Sequence, residues 1–207
     1  TYPFVKPDVW VGMDDPFCHR RELFYEPFIK IGRGGYQYRH HESGRVNHLF
    51  NMYYADVEKP SKPEDIFTRT GHDVKFVWKK STLITALHIV LWMGCKKIYL
   101  FGNDCTLDNG EYHDKNIKLG KNHVGNRKFY KLMYKYLKWF AKTGKEYGID
   151  VYSCSPGGRI NDCIEYVNYE DVIKEIETKV PHSESLLHCN EAEKRWEGYL
   201  RKKGKIK

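Results

Sequence analysis

A chain of 207 residues with 41% apolar, 15% aromatic and 30% charged side chains has the length and composition of one ordered globular domain with a short appendage, which excludes disordered, collagen-like and coiled-coil classes. Its longest apolar run, Leu83 to Met93, is interrupted by Thr85 and His88 and falls short of the roughly 18 to 20 residues that a membrane span requires. An excess of 35 basic over 27 acidic residues leaves a net charge of +8, which favours anionic ligands and surfaces.

The chain opens on Thr1-Tyr2-Pro3 rather than Met, so a processed or trimmed start, or an upstream segment, is expected; no signal peptide is read there. Val9-Trp10-Val11 and Phe28-Ile29-Lys30-Ile31 are short buried-strand candidates. The run Gly32-Arg33-Gly34-Gly35 after the second lacks the spacing of a phosphate cradle and reads as a turn. Weak strands are expected around Leu49 to Tyr54 and Val74 to Trp78, with Pro60-Ser61-Lys62-Pro63 as a surface turn between them.

Ser81 is a good N-cap, and Leu83, Ala86, Leu87, Val90 and Leu91 follow at helical spacing up to Gly94, so a buried helix is expected over Thr82 to Met93. His88 sits on its apolar face and reads as packing. Lys97 to Phe101 is a short apolar run ended by Gly102, the pattern of a central parallel strand. The polar stretch from Gly102 to Asn122 is too long for an ordinary connection and reads as a lid or binding loop. A helix from about Gly125 to Tyr147 sets Phe129, Leu132, Met133, Tyr136, Leu137 and Phe140 on one face and lysines on the other. Ile149 to Ser153 is the next strand, Ser155-Pro156-Gly157-Gly158 a turn, Ile164 to Val167 a short extended piece, and Tyr169 to Thr178 a helix.

The expected architecture is therefore α/β: a single Rossmann-like domain over residues 1–180, with a mainly parallel sheet flanked by helices and a lid loop after a central strand, then a helical and basic tail over 181–207. Six cysteines without a C-x-x-C pair argue for reduced thiols in a cytosol-like compartment.

Ligands of open parallel sheets bind outside the carboxyl ends of the strands. One such end delivers Gly102, Asn103 and Asp104, and the other delivers Cys154 to Gly158. Gly102 lets a ligand approach the backbone, Asn103 can donate to and accept from a base or sugar, and Asp104 can hold a ribose hydroxyl or a cation. His123, at the end of the long loop and just before the lysine-rich helix, is placed to act as a general base near a phosphate. Asp104, Asp108 and Asp114 specify no metal geometry, so no obligatory metal is expected, although magnesium is compatible with the chemistry. From Lys115 to Lys145 there are ten basic residues and no Asp or Glu.

The runs Ser81 to Cys105, Lys121 to Phe140 and Ile149 to Asp162, together with Pro7 to Pro16, resemble the bacterial lipooligosaccharide sialyltransferases and their poorly characterised bacterial and phage relatives. The resemblance implies a glycosyltransferase that moves a sugar, of sialic-acid type, from a CMP-linked donor to a hydroxyl acceptor. It makes His123 the general base, puts Asn103 and Asp104 at the nucleotide-sugar pocket, makes Tyr112 a lid residue touching the departing phosphate, and sets Ser155, Gly157 and Gly158 near the base. The family's first strand and glycine-rich loop are expected before Pro7 and are not in the sequence, and the lid from Thr106 to Asn122 is shorter than in the sialyltransferases. A pterin pyrophosphokinase-like transferase using ATP and magnesium is an alternative. So is a nucleic-acid or anionic-surface binder that uses the stripe from Lys115 to Lys145. The expected location is cytoplasmic, of a bacterium or of the host of a phage, with membrane-peripheral attachment through the basic stripe left open. Exposed aromatics in the first half suit an oligomer contact.

Overall fold

The computed structural model describes residues 7–14, 28–36, 52–79, 81–103, 105 and 123–179, with the backbone alone at 123–127 and 176–179. The described residues form two compact units divided after Gly94. Each unit combines parallel strands with helices, so the chain is α/β.

In the unit before Gly94, β1 (Val9–Gly12), β2 (Ile29–Arg33) and β3 (Met52–Ala55) form a parallel sheet in that order, with Val9 opposite Ile29 and Lys30 opposite Met52. The middle strand buries Lys30 completely. Its Nζ donates to Phe28 O at 2.9 Å and stands 4.9 Å from the Phe28 ring centroid, contacts that offset the desolvation of an ammonium group. The expected turn at Gly32 begins inside β2 and ends in a 3-10 turn, Gly34–Tyr36.

β4 (Val57–Glu58) pairs in parallel with β5 (Phe76–Val77), and a one-turn helix α1 (Asp65–Thr68) lies between them in sequence. Asp65 Oδ2 accepts from Ser61 N at 2.7 Å, Lys62 N at 3.2 Å and Arg69 Nη2 at 2.7 Å, and Arg69 also pairs with Glu58. Burial pushes the Asp65 carboxyl up, but the Lys62 and Ser61 amides and the Arg69 guanidinium outweigh it and hold the group below the usual carboxylate range.

α2 (Thr82–Trp92) starts at Ser81, whose hydroxyl accepts from Leu83 N at 3.2 Å, and stops before Gly94 at φ +90°. It buries Ile84, Leu87 and Ile89. His88, wholly buried among them, accepts from Val77 N at Nδ1 (2.8 Å) and lies 3.1 Å from Arg69 O at Nε2. A backbone N–H can only donate, so Nδ1 is the bare nitrogen and Nε2 carries the hydrogen. Burial holds this imidazole below the usual histidine range.

In the unit after Gly94, β6 (Lys97–Leu100), β7 (Asp150–Ser153) and β8 (Glu165–Tyr166) form a parallel sheet in that order, with Ile98 opposite Val151 and Leu100 opposite Ser153. α3 (His123–Gly144) connects β6 to β7 and packs on β7. Met133, Tyr136, Leu137, Phe140 and Ala141 form its buried stripe, at the spacing that a helix requires. Leu132, expected on that face, is 45% exposed. It stands about 100° round the helix from Met133, outside the stripe.

A 3-10 turn, Lys145–Tyr147, and left-handed Gly148 at φ +68° end the helical stretch. On the other face of the sheet Tyr99 and Tyr152 stack at 5.4 Å, and Glu175 of α4 (Tyr169–Lys179) accepts from Lys97 Nζ at 2.9 Å and from Tyr99 Oη at 2.9 Å. None of the helices among the described residues is long and apolar enough to cross a membrane.

Candidate functional site

β6 and β7 lie side by side and point the same way, so both finish at one edge of their sheet. The ladder continues one bond past them, with Cys154 N donating to Leu100 O at 2.8 Å. From there one chain leaves through Phe101, Gly102 and Asn103, and the other through Ser155, Pro156, Gly157 and Gly158. Five residues singled out in the sequence, Gly102, Asn103, Ser155, Gly157 and Gly158, are thus delivered to the same edge.

Gly102 has φ +66° and Gly157 φ +69°, and a Cβ built on either meets nothing within 4 Å. Among the described residues, both positions need glycine for backbone conformation, not for lack of room. Asn103 Nδ2 donates to Phe101 O at 3.0 Å, which ties the loop back to the end of β6. Cys105, just beyond, is left-handed at φ +57° although it carries a side chain, a conformation that recurs where function constrains a loop. Phe101, 54% exposed, adds an apolar ring at this edge.

The turn after β7 is built on hydrogen bonds. Ser155 N donates to Ser153 Oγ at 3.3 Å, and Ser155 O accepts from Asn161 Nδ2 at 3.0 Å. Asn161 lies in the 3-10 turn Arg159–Asp162, whose Asn161 N donates to Gly158 O at 3.0 Å. Because the Asn161 amide gives its NH₂ to a carbonyl, its Oδ1 is fixed as an acceptor pointing elsewhere. That Oδ1 and the Oγ of Ser155, a residue 8% exposed, are both buried without a hydrogen-bond partner. Buried polar groups are rarely left so, at about 1–3 kcal/mol each, and here the two lie on adjoining turns after one strand end. The neighbouring Cys154 is also buried, and burial pushes its thiol up, so it is no thiolate nucleophile.

α3 returns the chain from the finishing edge of β6 to the starting edge of β7, where Ile149 N donates to Gly144 O at 2.9 Å. Its first residue, His123, is therefore directed towards the finishing edge. From Gly144 to His123 the helix climbs about 32 Å, whereas four strand residues rise only about 13 Å, so the first turn of α3 stands beyond the strand tips. The sequence starts this helix near Gly125; the structure starts it at His123. Asp104 and Tyr112, and with them Asp108, Asp114 and the lid from Thr106 to Asn122, lie outside the described residues.

Two members of the edge were not singled out by the sequence. Asn161 has no motif around it, and only the turn after Gly158 carries it back to Ser155. Phe101 reads as the last residue of a buried strand, but β6 ends one residue earlier.

A cavity of about 280 Å³ opens where β7 begins, at the opposite edge, lined in part by Lys138, Lys142, Lys145, Asp150 and Glu165. Among the described residues no group of three or more His, Cys, Asp or Glu is placed to hold a metal ion. Comparison of the chain with protein-family models, with curated proteins and with solved structures gives no match.

Proposed function

We propose that the chain is a glycosyltransferase of the sialyltransferase-like kind, on a Rossmann-like framework, which moves a sugar from a CMP-linked donor to a hydroxyl acceptor with inversion. The observation that carries the reading is the pair of unpartnered atoms, Ser155 Oγ and Asn161 Oδ1, buried at the finishing edge of β7 beside the open turn of β6. A fixed amide oxygen accepts from the exocyclic amine of cytosine but repels the carbonyl that uracil carries at the same position. This favours a cytidine over a uridine nucleotide.

With the base against the β7 turn, the phosphate and sugar extend past Gly102 and Asn103 towards the first turn of α3. In the transfer, His123 takes the proton of the acceptor hydroxyl as the acceptor oxygen bonds to the anomeric carbon. The bond from that carbon to the phosphate oxygen breaks, and CMP leaves as a phosphate monoester. The free N–H groups of a helix N-terminus favour the anion that departs. The reading is supported by the resemblance of the strand-end and helix-start sequences, and by the convergence of two parallel strand ends.

The test is release of free CMP from CMP-sugars with a panel of hydroxyl acceptors. Acceptor-dependent release that His123→Ala lowers by about 10²–10⁴ is expected. Equal release by both proteins removes His123 from the mechanism, and no release from any CMP-sugar by either one overturns the proposal.

A further inference from the structure

Lys128, Lys131, Lys135, Lys138 and Lys142 of α3, and Lys145 at the start of the 3-10 turn that continues it, follow one another at spacings of three and four residues. On a helix this alternation draws a single straight row, about 26 Å long at 1.5 Å per residue. All six are exposed, and none forms an ion pair among the described residues. The row lies opposite the buried stripe of Met133, Leu137, Phe140 and Ala141. α3 itself contains no Asp or Glu. A helix face that served solubility alone would interleave both signs, whereas here every neighbouring pair in the row is a like-charge pair at i+3 or i+4, which destabilises the free helix.

We propose that this face of α3 docks on the phosphate backbone of double-stranded nucleic acid, independently of sequence. The charge complementarity is direct: a duplex carries one negative charge per about 1.7 Å of its axis, and a rigid row of cations needs no rearrangement to meet it. Two other anionic partners fit less well. Binding to a membrane surface draws on buried apolar area as well as charge, and the apolar face of α3 is already used in the core. Single strands are held by exposed aromatic platforms, whereas on this helix Tyr136 and Phe140 are buried and Tyr130, Tyr134 and Trp139 are half-buried. Lys138, Lys142 and Lys145 share the lining of the cavity at the start of β7 with Asp150 and Glu165, so Lys128, Lys131 and Lys135 are the members of the row farthest from acidic neighbours there.

The experiment is fluorescence anisotropy of the full chain with a labelled random-sequence DNA duplex, a single strand and vesicles with anionic headgroups, over a salt series. If all six lysines meet phosphate, the logarithm of the binding constant falls with the logarithm of salt at a slope of about −5. The triple variant Lys131→Gln, Lys135→Gln, Lys138→Gln lowers that slope by about 2.7, while the matching Arg variant keeps it. Relief of the like-charge pairs also makes the Gln variant melt at a higher temperature than the parent in the absence of DNA. That result separates lost charge from lost folding. Duplex binding whose slope the Gln variant leaves unchanged, no duplex binding at low salt, or preference for vesicles or single strands each overturns the proposal.

Discussion

His88→Ala is expected to cost the unit before Gly94 about 3–5 kcal/mol. The figure comes from four losses around one buried ring. Val77 N–H, buried and at 2.8 Å from Nδ1, is left without an acceptor at about 1–3 kcal/mol. The carbonyl of Arg69 loses its donor at Nε2. The edge-on contact with Phe76, at 5.2 Å between centroids, contributes about 0.5–1.5 kcal/mol, and the vacated ring volume adds to that. His88→Asn keeps an acceptor at the position of Nδ1 and should recover about half of the loss. Urea unfolding at pH 8 measures both, read by Trp92, which packs on Phe76 at 5.8 Å and donates to Gly71 O at 2.9 Å. A cost below 1 kcal/mol for His88→Ala, or no difference between the Ala and Asn variants, refutes the reasoning.

The same imidazole makes stability depend on pH. Its folded pKa lies below the unfolded value of 6.5, chiefly through burial and also through the charge of Arg69, while Asp65 and the Arg69 carbonyl pull the other way. Its contribution is complete above pH 6.5 and falls as acid protonates the unfolded chain first, with a slope approaching about 1.4 kcal/mol per pH unit; His88→Asn should flatten that limb in urea titrations between pH 5 and 7. Ser155→Ala removes a buried hydroxyl that has no partner, so thermal melting should be unchanged or higher while the affinity for CMP drops about 5- to 15-fold; a fall in melting temperature would show that the hydroxyl is already satisfied. Gly102→Val forces a β-branched side chain to φ +66°, and should cost about 1–3 kcal/mol in urea, with the nucleotide site weakened as well.

Elements with a strong local signature were legible. Ser81 and Gly94 bracket α2 because a cap and a left-handed stop are written in single residues, and β6, α3 and β7 follow from a change of hydrophobic period. β4 and α1 escaped because two and four residues carry no period; α1 is fixed by Asp65 gathering the Ser61 and Lys62 amides, which composition does not reveal. The glycines of the site were legible as turn residues, since only their backbone conformation matters. Asn161 was not, because its role depends on a 3-10 turn that folds back onto Ser155. Leu132 was assigned to the core by its chemistry, and its angle on the helix overrules that.

The most direct test of the account is calorimetric titration of the chain with CMP and with UMP, in the presence of a chelator. The account predicts that CMP binds at least tenfold more tightly than UMP, and that Asn161→Ala, which removes the amide oxygen set against the base, abolishes the preference. Equal affinity for the two nucleotides, or binding of neither, contradicts it.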